Sequence, residues 1–156
     1  MGKEHGYTIT VEWTGNLGEG TKDYRSYSRN HEIRGNGKSF LGSSDPAFRG
    51  DSTRFNPEEL LVSTLSSCHM LWALHLCAEA GIVVTSYCDE ASGTMRENAD
   101  GSGEFIEVTL RPRMTITDFT RIMDAMGVHD KAHELCFIAR SVKFPVHHEP
   151  VIVPED

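Results

Sequence analysis

The 156-residue sequence has no CxxC pair. Its four cysteines, Cys68, Cys77, Cys88 and Cys136, are widely spaced, which argues against a zinc ribbon and, in a reducing compartment, against a disulfide scaffold. Positive charge is also scarce. The net charge of −8 argues against general nucleic-acid binding, which needs surplus Lys and Arg to neutralise phosphates. The longest apolar run is broken by Ser66, Ser67 and His69, so no stretch reads as the ~20 apolar residues of a bilayer span. No apolar leader follows Met1, so a cytoplasmic location is expected. His69, His75, His129 and His133 do not stand at a zinc-like spacing from a cysteine. The adjacent His147 and His148 would face opposite sides of a strand. Neither a metal nor another cofactor is therefore expected. There is no internal repeat, and the length suits one domain spanning residues 1–156.

What is present reads as β-β-α-β-β-β-α-α-β, an α+β domain with antiparallel pairing. Tyr7–Thr14 alternates like a strand, and Tyr24–Ile33 can pair back on it. Gly35–Phe55 reads as a long ordered loop, a length usually associated with function. Asn56-Pro57-Glu58-Glu59 is a strong helix start, with Asn56 as cap, Pro57 at the first helical position and Glu59 completing a capping box. The helix should run to Ala80, where Gly81 stops it. It is apolar almost all round, so sheet or a second subunit should cover it. Ile82–Ala91, Gly93–Glu97, Gly103–Val108 and Leu110–Ile116 read as strands, the last three as a meander. Asp118 should cap a short helix to Met126, with a break at Gly127-Val128-His129. A further helix from Asp130 would hold Cys136, and Val142–Pro150 would form an edge strand.

Two cysteines sit in contexts suited to chemistry. Cys68 follows Ser66-Ser67, small polar residues that leave space and donors beside a sulfur. Cys136 lies in Ala132-His133-Glu134-Leu135-Cys136-Phe137. A thiolate that attacks a peroxide O–O bond becomes a sulfenic acid, which a second thiol condenses to a disulfide. The second thiol's Cα must come within about 7 Å, and a cation must hold the first sulfur ionised. Arg49 and Arg54 before the helix, or Arg25, Arg29 and Arg34 near the second strand, are candidate cations, and Glu58 can orient one of them. Glu58 and Cys68 lie ten residues apart, roughly 15 Å along a straight helix, so they cannot touch within it. An intervening Arg, a kink or a second chain must bridge them, and a homodimer would also cover the apolar helix. Cys77 falls on the side of the helix opposite Cys68 and, like Cys88, reads as packing.

Asn56-Pro57-Glu58-Glu59-Leu60-Leu61 followed by Ser66-Ser67-Cys68 resembles the helix motif of the OsmC/Ohr family, and the likeness in element order extends over nearly the whole chain. The resemblance implies an intertwined homodimer with antiparallel sheets around a long central helix. It also implies thiol-dependent reduction of organic hydroperoxides, with recycling by a dithiol such as a lipoyl group. By the same resemblance Cys68 is the attacking thiol, Cys136 the resolving thiol and Glu58 the partner of the activating cation; one branch of the family points to Arg49 as that cation, the choice made here, and the other to Arg25 or Arg29. Two positions depart from the pattern: His69 stands where Phe is usual, and Phe137 where Pro is frequent. These departures motivate a rival reading, a non-catalytic dimer that holds a small apolar ligand and uses its cysteines for packing. A cysteine hydrolase would need a histidine and an oxyanion hole near Cys68, which the sequence does not place.

Overall fold

The computed structural model describes residues 2–155, which divide into two compact units, one up to Leu60 and one from Leu61 onwards.

The first unit is built on an antiparallel sheet of β1 (Thr10–Trp13), β2 (His31–Gly35) and β3 (Lys38–Gly42), in that order. The pairing runs from Thr10 opposite Arg34 to Trp13 opposite His31. β3 lies inside the segment expected to be a loop. Its signal is Asn36-Gly37, both at positive φ (49° and 71°), the pair that a two-residue hairpin turn requires. Conversely, Tyr24–Asn30 is not strand. Arg29 organises it instead, stacking over the rings of Tyr24 and Tyr27 at 4.2 Å from each centroid. Arg29 also donates to the carbonyls of both tyrosines at 2.7 Å.

The capping box at the start of α1 (Pro57–Glu79) forms as expected. The Asn56 amide donates to Glu59 Oε2 at 3.0 Å, and the Glu59 amide donates to Asn56 Oδ1 at 2.8 Å. Asn56→Ala removes the side-chain half of this exchange, the acceptor of the Glu59 amide, from a buried position and should cost about 1 kcal/mol, measured as a lower urea midpoint at unchanged slope. At the other end Gly81 takes a φ of 69°, and the Ile82 amide reaches back to the Cys77 carbonyl at 2.8 Å, closing the helix.

In the second unit β4 (Val84–Asp89), β7 (Pro112–Ile116) and β9 (Val151–Pro154) form one sheet. β5 (Ser92–Glu97), β6 (Gly103–Leu110) and β8 (Val146–His148) form another. The strands are not a simple meander: β4 pairs with β7 across the β5–β6 hairpin. Nor is the pairing wholly antiparallel, because β8 joins β6 and β9 joins β7 in parallel. The last pairing makes a strand of residues beyond the expected edge strand.

The helix α2 (Ile122–Leu135) runs unbroken through Gly127, contrary to the expected break. A helical glycine costs about 1 kcal/mol relative to alanine. Here Ala125, Val128, His129 and Ala132 are buried around it, and that packing outweighs the local penalty. Cys136 is therefore not inside a helix. It caps α2 in an extended conformation.

The buried residues of α1 form a stripe spaced by four, Leu65, His69, Ala73 and Cys77, which is one face of a helix. Leu65 packs with Val108, Leu110 and Val146, while Ala73 and Cys77 pack with α2 and with Met114, Ile116 and Ile152. By length and apolar composition alone α1 would suffice to cross a bilayer, contrary to the expectation from its polar interruptions. Its stripe instead belongs to the core of the second unit. The remaining faces are partly open, with Leu71 62% exposed.

Candidate functional site

Cys68 leaves α1 beside the buried stripe and is half-buried, whereas Cys136 at the end of α2 is buried. The two thiols lie close enough to interact, the Cys68 side chain being one of the groups that raise Cys136. Sulfurs 68 positions apart in sequence meet because α1 and α2 pack through Ala73, Cys77, Ala125, Val128 and Ala132. Burial pushes the Cys136 thiol up to about 11, and its contact with Cys68 adds to the rise. Cys136 Sγ accepts from the Ala139 amide at 3.4 Å, which opposes that rise without cancelling it. The pair is thus asymmetric: one sulfur is open to solvent and the other is held protonated.

The serines beside Cys68 are turned away from it. Ser66 Oγ donates to Asp89 Oδ2 on β4 at 2.5 Å, and Ser67 Oγ donates to the Thr64 carbonyl of its own helix. The expectation that they offer donors to the sulfur is therefore not met. Cys77 is buried in the core and Cys88 is exposed, in keeping with packing and surface roles.

Arg49 and Glu58 belong to the first unit. Arg49 is exposed and closes a 3-10 turn, Pro46–Phe48, at a φ of 65°. This left-handed conformation is strained for a residue with a Cβ and is concentrated at functional positions. Its guanidinium makes no hydrogen bond or ion pair among the described residues of the chain. Arg54 is tied to Asp51 at 3.4 Å and keeps a buried Nη1 without a partner. Arg29 is occupied by its two tyrosines and Arg34 pairs with Glu12 and Glu32, while Arg25 is exposed. Glu58 is half-buried in the first turn of α1, where its charge favours the helix terminus.

The arrangement least legible from sequence is a group of imidazoles in the second unit. His69 Nε2 and His129 Nδ1 are 3.0 Å apart, and both residues are 0% exposed. His148 stacks near His69 and His133, with ring centroids 5.6 and 5.0 Å away. Tyr87 lies 6.3 Å from His129. Burial, and then the charge of the neighbouring imidazoles, lowers His69 to about 3; burial and His148 lower His129 to about 4. The available signal was His129 and His133 at i and i+4 on one helix face. A search for cysteine–histidine spacings passes over it. Among the described residues no three donors are grouped so as to hold a metal ion.

Known proteins place this architecture. A family model described as OsmC-like protein matches residues 50–150. An OsmC-like protein of unknown function from Vibrio cholerae is 32% identical, with 95% of this chain and 100% of that one aligned at a TM-score of 0.86. An organic hydroperoxide resistance protein from Elizabethkingia anophelis superposes at a TM-score of 0.70 with 16% identity, over 99% of this chain and 100% of that one. The organic hydroperoxide resistance protein OhrB of Bacillus subtilis does so at 0.61 with 16% identity, over 96% and 98%. At such identities the last two show a shared fold. No curated protein matches the sequence. Family match and close structural relative together make this chain a member of the OsmC-like protein family.

Proposed function

We propose that the protein is a thiol peroxidase for organic hydroperoxides. The observation that carries this reading is the contact between one accessible thiol, Cys68, and one buried, proton-bearing thiol, Cys136. The Cys68 thiolate attacks the terminal oxygen of ROOH, forming an S–O bond and breaking the O–O bond. The products are Cys68 sulfenic acid and RO⁻, which takes a proton to leave as the alcohol. Cys136 then condenses with the sulfenic acid, forming the disulfide and releasing water. A dithiol reductant, such as a lipoyl group, returns both thiols by exchange and is itself oxidised to its disulfide.

Arg49 is the proposed source of positive charge for the thiolate and the departing alkoxide, with Glu58 as the carboxylate that orients it. Its free guanidinium and strained backbone favour it over Arg29, which is already engaged. We further propose that the working form is a homodimer. The support is apolar surface left open in a single chain, including Tyr7, Ile9 and Val11 in the first unit and Leu71, Met123 and Phe137 in the second. Exposed apolar side chains of this size suit burial against a second copy.

The reading is tested by adding one equivalent of cumene hydroperoxide to the reduced protein. Two thiols per chain should disappear, a Cys68–Cys136 bridge should be found by peptide mass mapping, and dihydrolipoamide should restore both. A protein that kept all four thiols would instead fit the rival reading of a ligand-binding dimer.

A further inference from the structure

The imidazole cluster joins the same two helices that carry the sulfurs. His69 follows Cys68 on α1, and His129 and His133 lie on the α2 turns that lead to Cys136. We propose that the cluster is an acid-operated latch: uncharged, it holds α2 against α1 so that Cys68 and Cys136 meet; protonated, it lets α2 lift and parts them. This inference concerns where the sulfurs sit and does not depend on peroxide being the substrate.

The argument begins with the bond between the rings. An imidazole pair at 3.0 Å needs one N–H and one lone pair. A first proton would leave a charge buried among neutral rings. A second would leave two donors facing each other with no acceptor. The surroundings offer little relief. His69 Nδ1, His129 Nε2, His133 Nδ1 and the Tyr87 hydroxyl are all buried without a hydrogen-bond partner, so this end of the interface already holds unpaired polar atoms.

The groups around the pair come from every element packed on it. α2 adds Asp130, His133 and Glu134; β8 adds His147 and His148; β4 adds Tyr87 and Asp89. Of the carboxylates, Asp130 acts on His129 and on His133, and favours their charged forms. It is 80% exposed and already paired with His148 Nε2 at 3.0 Å, so solvent screens it. Burial and the repulsion among the rings dominate, and the cluster accepts protons only by opening. Next to the buried pair, His148 on β8 is paired with the exposed Asp130 of α2 and leads from the rings towards solvent.

The test is the rate at which N-ethylmaleimide, an alkylating reagent that leaves no disulfide for a neighbouring thiol to attack, labels Cys136, which is 1% exposed and reacts only when α2 lifts. The labelled cysteine is identified by peptide mass mapping, with exposed Cys88 as the internal reference. His129→Asn places an amide near the position of Nδ1 and does not titrate. A group that titrates near 6.5 when open and near 4 when closed favours the open form about 30-fold at pH 5. The wild-type rate divided by the variant rate should therefore rise roughly 30-fold between pH 7.5 and pH 5.0. Should His129→Asn fail to fold, His69→Gln, with its amide near Nε2, gives the same readout. Dilute urea should leave the acid rate nearly unchanged, because lifting one helix exposes little surface. A ratio that stays flat across this range, or an acid rate that climbs steeply with urea, overturns the latch.

Discussion

Cys68→Ser should abolish peroxide consumption, whereas Cys136→Ser should be oxidised at Cys68 but not turn over. The first result follows because a serine hydroxyl stays protonated at neutral pH and cannot do the work of a thiolate. A loss of at least roughly 10³-fold in rate is expected, equal to about 4 kcal/mol in activation free energy. The second follows from the geometry at the end of α2. Without the Cys136 sulfur, the sulfenic acid on Cys68 has no thiol in reach. It should be trapped by dimedone as a single adduct, and a second equivalent of peroxide should drive it irreversibly to sulfinic acid. Equal residual turnover in the two variants, measured by hydroperoxide loss with dihydrolipoamide present, would contradict the assigned division of labour.

The other large effect concerns pH and stability. His69 and His129 are lowered in the folded chain to about 3 and about 4, against about 6.5 in an unfolded chain. A lowered histidine contributes its full stability above pH 6.5, and that contribution is lost as pH falls from 6.5 towards the folded value, because the unfolded chain binds the proton first. Between pH 7.5 and pH 5 each residue should cost about 2 kcal/mol, roughly 4 kcal/mol together, at 1.36 kcal/mol per pH unit below 6.5. Set against a total of about 5–15 kcal/mol for a domain of ordinary stability, this is a large share. Urea denaturation at the two pH values measures it, and His129→Asn should remove about half of the difference. The carboxylates that are lowered, such as Asp51 and Asp118, are held down by hydrogen bonds to Thr53 and Thr120 and act only nearer pH 4. A stability that did not change from pH 7.5 to 5 would mean that the histidines are charged or solvated in the folded state.

Much of this architecture can be read from local signals, and what cannot is set by distant contacts. Asn56, Pro57, Glu59 and Gly81 define α1 because caps are chemistry between neighbours in sequence. The Asn36-Gly37 turn is equally local, but it sits in a segment dense with Gly, Ser and Pro, whose composition reads as loop. The parallel pairing of β8 and β9 has no short-range signature: strands of three and four residues gain their place from partners some forty positions earlier. Gly127 reads as a helix break, and only the buried neighbours of α2 explain why it is not. In the candidate site, the motif that ends at Cys68 is local and specific. Its apposition to Cys136 depends on helix packing, and the imidazoles gather from three elements for the same reason.

Trp72 on α1 lies edge-on to Phe137, with ring centroids 5.6 Å apart, and Phe137 is the residue that follows Cys136. Indole emission is sensitive to the polarity and packing of its surroundings, and the only other tryptophan, Trp13, is in β1. The molecule therefore contains its own optical gauge of where the end of α2 lies, readable in real time without any attached dye.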